Sequence, residues 1–544
     1  MESDLEAAES DVVIVGSGSA ALSAALRAAV GGLRVTILEK TELLGGTSAM
    51  SGAGTWIPAN HHARAAGIED SVEEAIAYIR AASPEGWQQE EDDRWVAFAR
   101  TAPVMLRFLE EHTPLRFALT HEPDIFAECP GGKRQGRMLS PLPLRKALLG
   151  AYAKKLRAST LPHLFTYHEA YDGDLYHHPL QAGLRFGHRL LYRLTTQRRG
   201  QGSALITGLL KGCLDNRCRI ETGARVVELM MQPDGAGVAG VVAERGGVRR
   251  PYLARRGVVL ATGGFEWDDA LLDRYFPGPL DWRGSPRANE GDGQRLAASA
   301  GAALARMDQA NIYPALPTRY EGRPHGIPLI FQAEPHAIVV DRNGRRFVSE
   351  YDYNIGEALD RRDPLTGMPK HLPAWVVADR RFLRQAPPLL WYARQKPNAL
   401  VRASSLPELA AKIGLPPAAL EQTVARFNGF CAAGRDLDFH RGESVWEQFK
   451  AGGPGRAMAP LEQPPFLAMP LNRSILGTKG GARTNERGQV LRPDGSVIPG
   501  LYAAGLAMAN PIGTRAIGAG TTIGPNLTWG FICGESLLRD NRAL

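Results

Sequence analysis

Residues Asp11 to Ala21 read DVVIVGSGSAA, and this stretch decides the fold. Asp11 to Val15 is a short, nearly continuous apolar run, of the kind that suits a strand buried on both faces. It runs straight into Gly16-Ser17-Gly18-Ser19-Ala20-Ala21, and then an alanine-rich stretch predicts a helix. A second apolar strand, Val35 to Leu38, ends at Glu39, 21 residues past Gly18 (39 − 18). In this strand–turn–helix–strand–acid order each residue type has a task. Gly16 permits a tight turn, Gly18 lets the backbone approach a pyrophosphate, and the small Ala21 lets helix and strand pack closely. The first N–H groups of the helix face the phosphates, and Glu39 can accept hydrogen bonds from ribose hydroxyls. A lone GxGxxA carries little weight, but the full context makes this a dinucleotide site.

The stretch beyond the second strand says which dinucleotide. Leu44 to Pro58 reads LGGTSAMSGAGTWIP, a run of small and hydroxylated residues whose backbone can lie against a flat ring and bond its polar edge. With these segments, Gly16 to Ala21, Leu38-Glu39-Lys40 and Gly45 to Trp56, the chain resembles the fumarate reductase/3-ketosteroid dehydrogenase superfamily of FAD-binding flavoproteins. Further landmarks agree: Arg225-Val226-Val227, VVLATGGF at Val258 to Phe265, and NEGDG at Asn289 to Gly293. PGLYAAG at Pro499 to Gly505 and GAGTTIGPNLTWG at Gly518 to Gly530 complete the set. The closer likeness is to the ketosteroid dehydrogenase branch, through GTSAMSGAGTWIP, GRRFVSE (Gly344 to Glu350), PAWVV (Pro373 to Val377) and GTKGG (Gly477 to Gly481).

The resemblance implies an α/β fold with a discontinuous Rossmann-like FAD-binding domain built from residues 1–60, 196–312 and 471–544. A mainly helical insertion is expected at 61–195 and an α+β capping substrate domain at 313–470. Within the cap, Ala337 to Val340 and Arg346 to Val348 are expected to pair around a turn at Asn343-Gly344. The FAD contacts carried over are Gly16, Gly18, Ser19, Ala20, Glu39 and Lys40, then Gly46, Thr47, Ser48 and Gly52. Val226, Thr262, Gly263, Asp292, Gly505, Thr522 and Ile523 complete them. Succinate dehydrogenases attach flavin through a histidine just after the glycine pair. Ser48 lies in that neighbourhood here and no histidine does, so FAD is expected to be held non-covalently.

FAD accepts the hydride, and the protein must polarise the substrate and move its proton. In ketosteroid 1-dehydrogenases a tyrosine and a glycine N–H hold the ketone oxygen. A second tyrosine past the RFxxE stretch takes the α-proton, with help from a third. Gly520 matches the glycine. The tyrosine four residues ahead of it is replaced by Ala516, preceded by Arg515, and the helper position falls at Ile125-Phe126. Tyr353 or Tyr351 matches the base approximately, with Asn354 at the ungapped position, and Tyr192 is a substitute from the helical segment. Arg515 can bind a carboxylate, polarise the ketone or pair with a structural acid such as Glu350. Trp56 and Trp529 read as packing of the cofactor domain.

The resemblance implies α,β-desaturation of a cyclic ketone, and the loss of the steroid-type tyrosines favours a small ring, such as cyclohexanone or an oxocyclohexane carboxylate. The alternatives are a 3-ketosteroid dehydrogenase with a rearranged site, a reductase of an unsaturated carboxylate, and a flavin-binding module without turnover. A quinone or another external acceptor is expected to reoxidise the flavin, since no nicotinamide fingerprint stands beyond the FAD site. Net charge is 64 − 57 = +7, spread in short groups with no basic arm, which argues against nucleic acid. No apolar run approaches the roughly 18 residues of a membrane span. The acidic start, Met1 to Ser10, has no signal-peptide pattern, so a cytoplasmic protein is expected. Five cysteines form no CxxC pair, and no metal ligand set is assigned. In the Tyr- and His-rich part of the helical insertion, which holds Tyr167, His168, Tyr171, Tyr176, His177 and His178, the two adjacent histidines lack carboxylate or cysteine partners at ligand spacing and read as a polar loop rather than a metal site.

Overall fold

A computed structural model describes residues 8–175, 177–329, 331–387, 389, 392 and 399–540; Tyr176 lies outside them. The first strand, β1 (Ala8–Val15), leads through Gly16 into helix α1 (Ser19–Val30), and β2 (Val35–Glu39) comes next. β2 is buried throughout and β1 from Val12 to Val15, as their apolar runs require, while Glu9 at the start of β1 is exposed. β1 and β2 are parallel, Val12 opposite Val35 through Val15 opposite Leu38. Gly16 has φ +108°, and a Cβ there would lie 2.4 Å from the Ala261 carbonyl oxygen, so the turn admits only glycine.

Eight strands form the main sheet, whose backbone order is Gln489–Leu491, Val497–Ala503, Val248–Leu260, β1, β2 and Arg219–Thr222. Strands far apart in the chain therefore meet side by side. Val248–Leu260 pairs with β1 at one edge, and its first half also runs antiparallel to Val238–Arg245. The Ile523–Arg539 helix closes back on α1, where Ser23 donates to the Leu527 carbonyl at 2.7 Å. Trp56 and Trp529 are both fully buried, as packing residues should be.

Residues between these stretches build the rest of the molecule. The 25-residue helix Gln88–His112 and the helices Tyr167–Asp172 and Pro179–Thr195 dominate one part. In the other, four strands order as Ala337–Val340, Ala374–Ala378, Phe466–Leu471 and Val401–Ala403, backed by the helices Leu406–Ile413 and Pro417–Ala433. The expected pairing of Ala337–Val340 with Arg346–Val348 is corrected. Only Val340 and Arg346 form a bridge, and the strand pairs instead with Ala374–Ala378. Asp341 tightens the Asn343-Gly344 turn by accepting from the backbone N–H groups of Asn343 and Arg345. Beyond it the chain leaves the sheet, because Glu350 is pulled inward. That buried carboxylate accepts from Val339 N at 2.9 Å, from Arg346 Nε at 2.9 Å and Nη2 at 2.8 Å, and from Arg441 Nη1 at 3.0 Å. Among the described residues no helix is long and apolar enough to cross a membrane.

Candidate active site

One cavity of about 980 Å³ runs from the Gly16–Ala20 turn to Tyr351 and Tyr353. Every residue expected to hold the cofactor lines it, from Gly16 and Glu39 through Ser48 and Thr262 to Thr522 and Ile523. At the turn, the N–H groups of Gly18 and Ala20 have no acceptor among the described residues, while Ser19 N donates to Ser48 Oγ at 3.2 Å. Glu39 is buried at the end of β2. Its Oε1 accepts from Thr41 N and Oγ1, both at 2.9 Å, and its Oε2 accepts only from Ser17 Oγ at 2.7 Å, leaving a lone pair toward the cavity. Lys40 pairs with Asp292 at 2.7 Å and with Glu290 at 3.0 Å, and Arg225 reaches Asp292 at 2.8 Å. Asn526 Oδ1, also in the lining, is buried without a hydrogen-bond partner. Free turn amides, an acid with a spare lone pair and an orphaned amide oxygen together fit a bound dinucleotide.

At the far end the Glu350 clamp fixes the start of the tyrosine segment. The next turn, with Asp352 N donating to the Ser349 carbonyl at 3.0 Å, sets Tyr351 and Tyr353 on different footings. Tyr351 is 6% exposed, lying beside the Arg441 guanidinium, 5.1 Å from its ring centroid. Tyr353 is 41% exposed although protein surrounds it, because its open surface is cavity surface; the Trp446 ring meets it edge-on at 5.0 Å. Burial pushes both hydroxyls well above the ordinary tyrosine range, and the nearby Glu122 adds to the shift at Tyr353.

The Gly520 loop faces them. Its φ is +83°, and a Cβ there would lie 2.7 Å from Gly54 C, Gly54 O and Thr55 N. The Gly520 carbonyl accepts from Trp56 N at 3.3 Å, and its N–H has no acceptor among the described residues. Asn354 locks this loop to the tyrosine segment: its Nδ2 donates to the Ala516 carbonyl at 3.0 Å and its Oδ1 accepts from Ala516 N at 2.8 Å. The ungapped position is thus a structural clasp. Trp56 is anchored behind by its Nε1 donating to Asp124 Oδ1 at 2.8 Å, and Asp124 is bonded to Arg137 at 2.8 Å. Burial lifts the Asp124 carboxyl to about 6, with Arg137 opposing.

Two assigned residues do not join the site. Tyr192 is 55% exposed on the Pro179–Thr195 helix, its ring 5.6 Å from the Arg198 guanidinium and outside the cavity lining. Helical periodicity turns it to the surface beside Leu191. Arg515 also lies outside the lining, although Thr514 and Ala516 belong to it, and its Nε donates to Glu357 at 2.9 Å. Its structural acid is therefore Glu357 and not Glu350.

Other residues join unannounced. Tyr167 and Tyr171, four apart on one helix, line the cavity with hydroxyls 3.3 Å apart, and Tyr167 donates to Glu122 Oε1 at 3.1 Å. Lys450 Nζ lies 3.4 Å from the Tyr171 hydroxyl. The i, i+4 spacing of the two tyrosines was the available signal; nothing local in the sequence ties Glu122 or Lys450 to them. His177 bridges Asp174 and Glu334, the latter at 2.8 Å, which lifts its imidazole to about 9. Outside the cavity lining, His61, His62 and Glu110 offer three ligand atoms within 4.8 Å of one another, already joined by hydrogen bonds of 2.7 and 3.0 Å.

Residues 11–523 match the FAD binding domain family. The chain belongs to that family. This FAD-binding oxidoreductase is 37% identical to the 4-oxocyclohexanecarboxylate 2-dehydrogenase of Sinomonas cyclohexanicum, over 97% of this chain and 92% of that protein. It is 34% identical to a 3-oxosteroid 1-dehydrogenase of Mycobacterium tuberculosis, over 96% of this chain and 97% of the relative. A solved structure, the 3-ketosteroid delta1-dehydrogenase of Sterolibacterium denitrificans in complex with 1,4-androstadiene-3,17-dione, superposes with a TM-score of 0.88. It shares 31% identity, covering 98% of this chain and all of that one. The family and the fold class expected from the motifs are those found, and the cofactor is FAD.

Proposed function

We propose that this flavoprotein desaturates the α,β bond of a small cyclic ketone, with non-covalently held FAD and a ring carboxylate as the preferred substituent. One observation carries the reading: a tyrosine presented to the cavity and an unpaired glycine N–H belong to one hydrogen-bonded unit, joined by the Asn354–Ala516 clasp. The Gly520 N–H, with no protein acceptor among the described residues, is free to hold a ketone oxygen as negative charge develops on it. Polarised this way, the α-hydrogen becomes acidic, and Tyr353 is the hydroxyl placed to take it. Bound FAD supplies the acceptor for the β-hydride. Tyr351 packs beside Arg441 and supports the segment.

Although the cavity lining also holds the acids Glu39, Asp292, Glu350, Asp352 and Glu357, one cation at the tyrosine end favours an acidic substrate. Three long cations line the cavity: Lys40 is paired with Glu290 and Asp292, and Arg157 with Glu321 at 2.9 Å. Lys450 lines it as well, donates to the Tyr171 hydroxyl at 3.4 Å and makes no ion pair among the described residues, so its remaining N–H groups can meet a substrate carboxylate. The carboxylate anchor thus moves from Arg515 to Lys450. The 37% likeness to an oxocyclohexanecarboxylate dehydrogenase supports this choice. Likeness to a steroid-bound dehydrogenase supports the rival, a 3-ketosteroid dehydrogenase. Steady-state desaturation of 4-oxocyclohexanecarboxylate, cyclohexanone and a 3-ketosteroid, with an artificial electron acceptor, separates them. The reading expects the carboxylated ring to have the highest kcat/KM; a steroid ahead of both rings would replace it with the rival.

A further inference from the structure

Most buried acids of this protein are surrounded by donors. Glu350 has two guanidinium partners and a backbone N–H, and Asp124 has Arg137, Trp56 and the Lys133 N–H. Glu122 is different. It is 2% exposed and makes no ion pair among the described residues; its Oε1 accepts the Tyr167 hydroxyl at 3.1 Å, Tyr171 and the Lys450 charge also support it, and its Oε2 is buried without a hydrogen-bond partner. A carboxylate enclosed with phenols as its hydrogen-bond donors and no paired cation is costly to the fold. Its bond to Tyr167 runs to a phenol that faces the substrate end of the cavity, beside Gly52, where a built Cβ would lie 3.0 Å from Tyr167 Cδ2. Tyr353 and Tyr167 lie within electrostatic reach of each other and of Glu122.

We propose that Glu122 is the resting place of the proton taken from the substrate's α-carbon, and that Tyr167 passes the proton to it from Tyr353. This rests on the ketone-desaturation reading. The α C–H bond breaks as its proton forms an O–H bond to Tyr353. The hydroxyl proton of Tyr353 moves to Tyr167, and that of Tyr167 to Oε1 of Glu122. The electron pair left on the α-carbon becomes the new C=C as the β-hydrogen leaves with its pair to FAD. Both phenols end neutral, and Glu122 ends protonated. Such a sink is needed because burial keeps the Tyr353 hydroxyl from ionising by itself near neutral pH.

The groups facing Glu122 are Tyr167 and Tyr171 from one helix, Lys450 from the Val445–Lys450 helix, and Tyr353. Burial lifts the Glu122 carboxyl to about 7, with Lys450 and the two tyrosines opposing. Glu122 must be ionised to accept a proton, so flavin reduction speeds up as pH rises through about 7 and then levels off.

The test is anaerobic stopped-flow reduction of the FAD-loaded protein by a cyclic ketone, for wild type, Glu122→Gln and Tyr167→Phe. The proposal expects both variants to slow reduction about tenfold or more, with substrate affinity little changed and the inflection near 7 lost in Glu122→Gln. Infrared difference titration of the same FAD-loaded proteins gives a readout apart from turnover. A carboxyl step near 7 should vanish in Glu122→Gln while the Asp124 step near 6 remains. Unchanged rate and inflection in Glu122→Gln would overturn the relay, and so would survival of the infrared step near 7. If Glu122→Gln does not fold, a wild-type rate in Tyr167→Phe overturns it instead. Wild type that no ketone reduces would overturn the underlying reading.

Discussion

Replacing Gly520 by alanine attacks the oxygen-holding step directly. The new methyl would lie 2.7 Å from three backbone atoms of Gly54 and Thr55, where ordinary contact starts near 3.4 Å, so the loop must retreat by roughly 0.7 Å. Positive φ adds about 1–2 kcal/mol of strain for a residue with a Cβ. A hydrogen bond of about 2.9 Å stretched by that amount is lost. Loss of one such donor costs about 2.7–4 kcal/mol at the transition state, or about 10²–10³ in rate. The assay is the limiting rate of anaerobic flavin reduction in Gly520→Ala, with FAD content read from the absorbance of the purified protein. The first N–H groups of α1 and Glu39 are untouched, but Thr522 and Ile523 follow close behind Gly520 and line the same cavity, so the rate is compared per bound FAD. A variant that keeps full FAD and reduces it within threefold of the wild-type rate would refute the role given to the Gly520 N–H.

Three other substitutions separate the remaining assignments. Asn354→Asp sets a second carboxylate oxygen against the Ala516 carbonyl, now 3.0 Å from the amide nitrogen; about 1–3 kcal/mol should be lost. Its thermal midpoint should fall and flavin reduction slow at least tenfold, and an unchanged midpoint with unchanged rate would dissolve the clasp. Lys450→Met should raise KM about tenfold or more for a carboxylated cyclohexanone relative to cyclohexanone, both read at one near-neutral pH so that any change at Glu122 acts on both substrates; equal losses would deny the anchor. Arg515→Leu removes a half-exposed pair worth about 0–1 kcal/mol, so both substrates should stay within threefold, and a loss confined to the carboxylated ring would return the anchor to Arg515.

The cofactor half was legible because its chemistry is backbone chemistry. Gly16, Gly263 and Gly505 sit where φ is positive, and glycine is the residue that meets that need, so composition and spacing expose them. The substrate half depends on side chains that converge from distant segments. Glu122, Tyr167, Tyr353 and Lys450 come from four separate stretches, and no local pattern records their meeting. Tyr192 belongs to the helical segment from which a substitute tyrosine is expected, but its position on the helix turns it outward. Arg515 was close in sequence to the right loop, yet Glu357 drew its guanidinium aside. Asn354 stands out in the sequence only as the residue placed where a tyrosine should be. Its worth lies in the two bonds its amide makes to Ala516, which no sequence pattern announces.

The central claim is that a ketone ring loses an α-proton to Tyr353 and a β-hydride to FAD in this cavity. Anaerobic mixing of the FAD-loaded protein with 4-oxocyclohexanecarboxylate, protiated and then deuterated at the β-carbon, tests it most directly. The account predicts bleaching of the flavin absorbance with a primary isotope effect, and bleaching slowed at least about a hundredfold in Tyr353→Phe. Oxidised flavin that persists with this ketone, with cyclohexanone and with a 3-ketosteroid would contradict it.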